Sequence, residues 1–236
     1  MSVKTVAVIG GGTMGSGVAL TIATNAMHAI VVDINESQLE TSRAYHKKQL
    51  DRSVSKERMT QAEAEEAQAR ILYVSQMVKA SDADWVIEAA TENLEIKKAI
   101  FSQMEEVFRD DVVLATNTSS ISITDLASCV PNAENRVIGM HFFNPVPVMK
   151  LVEVIKGKET SDETTTATIV LAEAMGKTPI TANDLAGFVS NRVLMPMINE
   201  AFHAWTDGVA EPEAIDSIMK LGCAFPMGPL RLADYI

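Results

Sequence analysis

A chain of 236 residues, 47% hydrophobic and 22% charged, carries enough apolar surface for one full domain and part of a second, which excludes intrinsic disorder. Its formal charge of −11 speaks against nucleic acid as a partner, because a polyanion needs a basic surface. The two cysteines, Cys129 and Cys223, stand far apart without ligand spacing, so neither a disulfide framework nor a metal site is expected.

The opening VKTVAVIGGG reads as a buried strand running into glycines, and VALTIATNAM then carries apolar residues at helical spacing. HAIVVDIN is a second apolar strand with Asp33 at its tip, which completes a first βαβ unit. From about residue 36 to 70 the composition turns to Glu, Lys, Arg, Gln and Ala, predicting a solvated pair of helices broken near residues 53–55. The sheet pattern resumes with ILYV and DWVIEAA, followed by a helix over about residues 93–108, the strand VVLATNT, a short helix near residues 123–127 and the strand VIGMHFF. KLVEVIKG, a helix over residues 162–175 and KTPITAN extend it.

The expectation is an α/β fold: a Rossmann-like, mostly parallel sheet with a helical-hairpin excursion over residues 1–185. GFVSNRVLMPMINEAFHAW and EPEAIDSIMKLG then read as helices of an incomplete all-α second domain, residues 186–236. Two helices would have to cover each other there without a third partner, so the ending after Pro226 and Pro229 reads as premature. The first strand begins at Val3 and no apolar run approaches about 18 residues, so no leader, no membrane partner and a cytoplasmic address are expected.

Gly10, Gly12 and Gly15 form a G-x-G-x-x-G turn between strand and helix, where glycine lets the backbone approach a pyrophosphate and the helix N-terminus offers free N–H groups. Thr13 and Met14, inside the turn, belong to the same cofactor set. Asp33, 18 residues after Gly15, is placed to accept hydrogen bonds from a ribose 2′-hydroxyl, and its charge opposes a 2′-phosphate, which favours NAD over NADP. The rival reading is a close strand–helix crossing with Asp33 capping a turn; FAD fits less well.

Removing hydride from an alcohol requires a base for the hydroxyl proton, and histidine suits the task near neutrality. His141 closes an apolar strand just before Asn144 and Pro145, at the carboxyl edge where open sheets bind ligands. Glu153 follows 12 residues later in the next strand, and on a neighbouring strand it would orient the imidazole. Without that acid His141 would be a packed core histidine. Ser119 and Asn117 lie past the strand VVLAT, where they either donate to a substrate oxygen or cap a turn. Asn191 is an isolated polar residue in a helix, aimed at a cleft or bonded to a neighbouring helix. His28, His46 and His203 lack a paired acid and read as structural or exposed.

IGGGTMGSGVA, EAATENLEIKK, NTSSISIT, GMHFFNPVPVMKLVEVI, GFVSNRVL and KLGCAFPMGPLRLADYI together resemble the L-3-hydroxyacyl-CoA dehydrogenase family, and the likeness runs from Val3 to the last residue. It implies an NAD-dependent enzyme that interconverts (S)-3-hydroxyacyl-CoA and 3-oxoacyl-CoA of short chain, in fatty acid metabolism of the β-oxidation type. His141 is implied as general base and acid, Glu153 as its partner, and Ser119 and Asn191 as ligands of the substrate's oxygen atoms. Glu92, Lys97 and Asn117 are implied beside the nicotinamide, and Lys56 on the CoA portion, with Gln49 where relatives can have serine. The family's full-length members imply a homodimer without metal. Two alternatives stand beside this: a non-enzymatic NAD-binding relative resembling λ-crystallin, and a free β-hydroxyacid dehydrogenase.

Overall fold

Short runs of Val, Ile, Leu and Ala become strands covered on both faces, and consecutive rather than alternating burial marks such a sheet. The computed structural model describes residues 3–236. Its first half runs β1 (Thr5–Ile9), α1 (Thr13–Thr24), β2 (His28–Val32), α2 (Glu36–Ser55), α3 (Gln61–Ala69), β3 (Ile71–Val74), β4 (Trp85–Glu88) and α4 (Leu94–Val107). Next come β5 (Val113–Thr116), α5 (Ile123–Ala127), β6 (Val137–Phe142), β7 (Leu151–Lys156), α6 (Asp162–Ala174) and β8 (Thr178–Asn183). Every residue of β4, β5 and β6 is buried.

The eight strands lie in the order β3-β2-β1-β4-β5-β6-β7-β8. All neighbours are parallel except β6 and β7, which run antiparallel. The chain leaves β1 toward β2 and β3, then returns to β4 and builds outward on the other side. The carboxyl ends of β1 and β4 therefore form a topological switch point, where open α/β sheets take ligands.

The helical hairpin is less solvated than its composition suggests. Leu39, Ser42, His46 and Leu50 of α2 are buried, and Leu50 joins Leu20, Ala64 and Ala67 in a small core. The break also falls later than the serines. Ser53 and Ser55 stay helical, their hydroxyls donating back to the carbonyls of Gln49 and Arg52. The stop comes from Glu57, in the left-handed region at φ 55, and the restart from a capping box between Thr60 and Glu63.

The chain divides into two compact units, Met1–Leu185 and Ala186–Ile236. The second holds α7 (Ser190–Thr206), α8 (Pro212–Gly222) and α9 (Pro229–Ala233). The expected two-helix arrangement is corrected by α9. Pro229, after which the ending reads as premature, is its first residue, where a missing N–H costs nothing. Asp216 of α8 accepts the backbone N–H groups of Leu230 and Arg231, each at 2.9 Å, and Ala201, Ile215 and Leu230 form the core of this unit.

Candidate active site

The turn after β1 can be built only with glycine at two of its positions. Gly10 has φ +109, and a Cβ there would lie 2.6 Å from the carbonyl oxygen of Ala89; a Cβ on Gly15 would lie 1.9 Å from that of Gly10. Those two glycines let the turn pass under β4 and let α1 start at once. Gly12 is different: it N-caps α1 with ordinary extended backbone, and a Cβ on it would meet nothing within 4 Å. The fold does not require glycine there, whereas an anion approaching the first turn of α1 does.

Asp33 stands beside this turn at the tip of β2. Its Oδ2 accepts from Gly11 N–H at 2.8 Å and its Oδ1 from Asn35 N–H at 2.9 Å. Each oxygen keeps lone-pair capacity toward a crevice of about 710 Å³, which Gly10, Asp33, Met77, Ala90 and Ile100 help to line.

Across β4, a second hollow of about 290 Å³ brings together Gly12, Thr13, Met14, Glu92, Asn117 and Ser119, with Lys97 at its wall. Lys97 is 1% exposed, its Nζ 2.5 Å from Oε2 of the wholly buried Glu88 and 3.8 Å from Oε2 of Glu92. Thr116 also donates to Glu88, at 2.7 Å. Lys97 thus forms its close, buried pair with Glu88, while Glu92, farther from the same charge, holds the segment that follows β5. Its Oε1 accepts from the Thr118 hydroxyl at 2.7 Å, from Ser119 N–H at 2.9 Å and from Ser120 N–H and hydroxyl at 3.1 and 3.0 Å. Burial works to raise the Glu92 pKa, but these donors and the Lys97 charge outweigh it and hold it below the usual carboxylate range.

His141 and Glu153 are direct partners in the β6–β7 ladder. Residues directly opposite in an antiparallel pair share a face. His141 Nδ1 donates to Glu153 Oε2 at 2.7 Å, and the two residues are 6% and 3% exposed. With Nδ1 carrying its hydrogen, a neutral ring keeps its basic lone pair on Nε2. Phe143 lies against the ring at 4.7 Å between centroids. Asn117 joins the end of β5 to this place, its Oδ1 accepting from Phe142 N–H at 2.8 Å.

The chain after His141 is held as firmly. Lys177 Nζ donates to the carbonyls of Val146 and Met149, and Val146 packs on α1 where a Cβ on Gly17 would be only 2.9 Å away.

The remaining expected residues lie elsewhere. Lys56 is exposed at the C-cap of α2, and Asn191 is half-buried in the first turn of α7, in the second unit. His46 is wholly buried on α2, with Nε2 donating to the Ser16 carbonyl and Nδ1 accepting from the Tyr73 hydroxyl, at 2.8 and 2.6 Å. Among the described residues no group of acidic, histidine or cysteine side chains is placed to hold a metal ion, and no helix is long and apolar enough to cross a membrane.

Comparison with known proteins settles what this arrangement belongs to. The 3-hydroxyacyl-CoA dehydrogenase NAD binding domain matches residues 5–185, and the C-terminal domain of the same family matches residues 187–236. The chain belongs to the 3-hydroxyacyl-CoA dehydrogenase family.

A probable 3-hydroxybutyryl-CoA dehydrogenase of Bacillus subtilis is 49% identical over all of this chain and 82% of its own. The 3-hydroxybutyryl-CoA dehydrogenase of Clostridioides difficile is 43% identical over 98% of this chain and 82% of its own. The crystal structure of (S)-3-hydroxybutyryl-CoA dehydrogenase from Ralstonia eutropha superposes with a TM-score of 0.97 at 47% identity, covering 99% of this chain and 82% of the other.

This is thus an NAD-dependent 3-hydroxyacyl-CoA dehydrogenase. Its glycine turn, open at Gly12 and flanked by the Asp33 carboxylate, fits the dinucleotide. Sequence reasoning missed Glu88, Thr116 and Lys177, which hold the site from inside the dehydrogenase. The one available signal was Glu88 itself, a carboxylate closing an otherwise apolar strand.

Proposed function

We propose that this dehydrogenase interconverts short-chain (S)-3-hydroxyacyl-CoA and 3-oxoacyl-CoA thioesters, 3-hydroxybutyryl-CoA and acetoacetyl-CoA foremost, with His141 moving the proton. The names of the Bacillus and Clostridioides relatives support the chain length. The observation that carries the assignment of His141 is its buried 2.7 Å bond to Glu153 at the carboxyl edge of the sheet.

NAD supplies the acceptor for the hydrogen that leaves C3 with its electron pair. The protein supplies the rest. Nε2 of His141 takes the hydroxyl proton in oxidation and returns it to the oxygen in reduction. Glu153 keeps Nδ1 protonated and balances the positive charge that grows on the ring. Ser119, on the loop held by Glu92, turns its hydroxyl from a long 3.4 Å contact with Glu92 Oε1 to donate to the substrate's 3-oxygen. The family resemblance gives Asn191 a share in binding the substrate, Lys56 the CoA portion, and Glu92, Lys97 and Asn117 the nicotinamide end. It also supports a cytoplasmic homodimer, and exposed apolar side chains such as Phe202 and Leu221 suit association.

His141→Gln is expected to lower turnover at least about a hundredfold, the lower part of what a positioned acid–base contributes. NADH binding, followed by its fluorescence, stays unchanged. Turnover near that of the unaltered chain, read from NADH absorbance with acetoacetyl-CoA, removes His141 from the role. Equal use of free acetoacetate would instead favour a free hydroxyacid dehydrogenase.

A further inference from the structure

Ser119 sits on a segment, residues 118–124, that lies outside the sheet ladder, so something other than strand pairing must fix its position. Glu92 holds the start of it through the bonds to Thr118, Ser119 and Ser120. A second carboxylate holds the other end. Asp184 Oδ2 accepts from the Ser122 hydroxyl at 2.7 Å, from Thr124 N–H at 2.8 Å and from the Thr124 hydroxyl at 2.7 Å. Thr124 is fixed in turn, its hydroxyl oxygen accepting from Lys158 N–H at 3.0 Å.

Asp184 has a defined place in the chain. It follows the last residue of β8, its own N–H donates to the Lys156 carbonyl at 3.1 Å, and the first compact unit ends one residue later at Leu185. Burial works to raise its pKa, but the donors from Thr124, Ser122 and Ile123 outweigh this and keep it below the usual carboxylate range. The anion is thus the form these donors are arranged to receive, and hydrogen bonds to an ionised acceptor are the strong ones.

We propose that Asp184 is a positioning residue for Ser119, clamping the N-cap and first turn of α5, into which the loop held at its near end by Glu92 runs, and so fixing where the Ser119 hydroxyl meets the substrate oxygen. The inference rests on the assignment of Ser119 to substrate made above. Asp184 touches neither substrate nor cofactor in this role. It acts from the residue where the chain leaves the sheet, its backbone N–H bonded to Lys156 and its carboxylate to Ser122 and Thr124.

A double-mutant cycle on the full chain tests this, because an effect transmitted through Ser119 must shrink once Ser119 is gone. Asp184→Ala is expected to lower kcat/KM for acetoacetyl-CoA about tenfold or more, as a donor displaced by a fraction of an ångström does. In the Ser119→Ala background the same change is expected to cost less than about twofold. The Kd for NADH should not move in either background. Where the alanine variant does not fold, Asp184→Asn keeps the shape, removes the charge and completes the cycle. An Asp184 effect of the same size in both backgrounds overturns the proposal, since a merely structural role predicts it. So does no effect at all. If Ser119→Ala alone leaves kcat/KM unchanged, the assignment of Ser119 fails first, and the two failures are told apart.

Discussion

Replacing Glu153 by Gln removes one charge from a buried pair while keeping nearly the same volume. The magnitude follows from the geometry. Glu153 is 3% exposed and His141 6%, so water cannot stand in for the lost carboxylate, and the 2.7 Å bond is a contact to a charged group. Such a bond contributes about 1.5–3 kcal/mol. In the role proposed for His141, the positive charge on the imidazole grows toward the transition state of alcohol oxidation, so the loss falls on the barrier rather than on substrate binding. At about 1.4 kcal/mol per factor of ten, kcat should fall about 10- to 150-fold, with kcat/KM following it. The assay is NADH appearance at saturating NAD⁺, with the NADH Kd and the melting temperature measured alongside. A folded Glu153→Gln variant that turns over within about twofold of the unaltered chain would refute the claim that the carboxylate balances charge on His141.

The buried His46 makes the docking of the hairpin sensitive to acid. Burial, opposed by the bond to Ser16, lowers its pKa from 6.5 to about 4. An unfolded chain takes up this proton near pH 6.5 and the folded chain only near 4, so the unfolded state binds more protons between them and stability drops as pH falls through that window. The stabilisation is complete above pH 6.5, and its loss by pH 4 is about 3 kcal/mol. Urea unfolding at neutral pH and near pH 4 should show a smaller acid loss for His46→Gln than for the unaltered chain; parallel losses would contradict this. For Asp33→Asn, preference for NADH over NADPH should fall by about tenfold, as a charge repulsion screened at the surface is removed. Steady-state kcat/KM with both nucleotides measures it, and an unchanged ratio would leave Asp33 without a part in cofactor choice.

The parts of this protein legible in its sequence are those encoded by local period and composition. Unbroken apolar runs announce strands covered on both faces, and glycines at 10, 12 and 15 announce the turn because steric conflict at two of them admits nothing larger. The His141–Glu153 pair was legible because the 12-residue spacing spans one strand reversal. What stayed hidden depends on partners distant in sequence. Nothing near Lys97 says that its charge sits closer to Glu88 than to Glu92, at 2.5 against 3.8 Å, since the strand and the helix that carry them meet only in the fold. Asp184 meets residues about sixty positions earlier. His46 sits on a helix of mostly polar residues, and its burial shows only once α1 covers it. The third helix of the second unit was missed because a proline that stops one helix can equally begin another.

The ladder between β6 and β7 sets His141 against Glu153 by counting residues, one for one. A change of length in the reversal between those strands leaves that count intact, although it disturbs the bonds from Lys177 to Val146 and Met149. One residue added inside β7 ahead of Glu153 would turn the acid to the other side of the sheet. Length variation among functional homologues should therefore vanish within β6 and β7, and the Lys177 bonds hold the reversal between them to nearly one length as well.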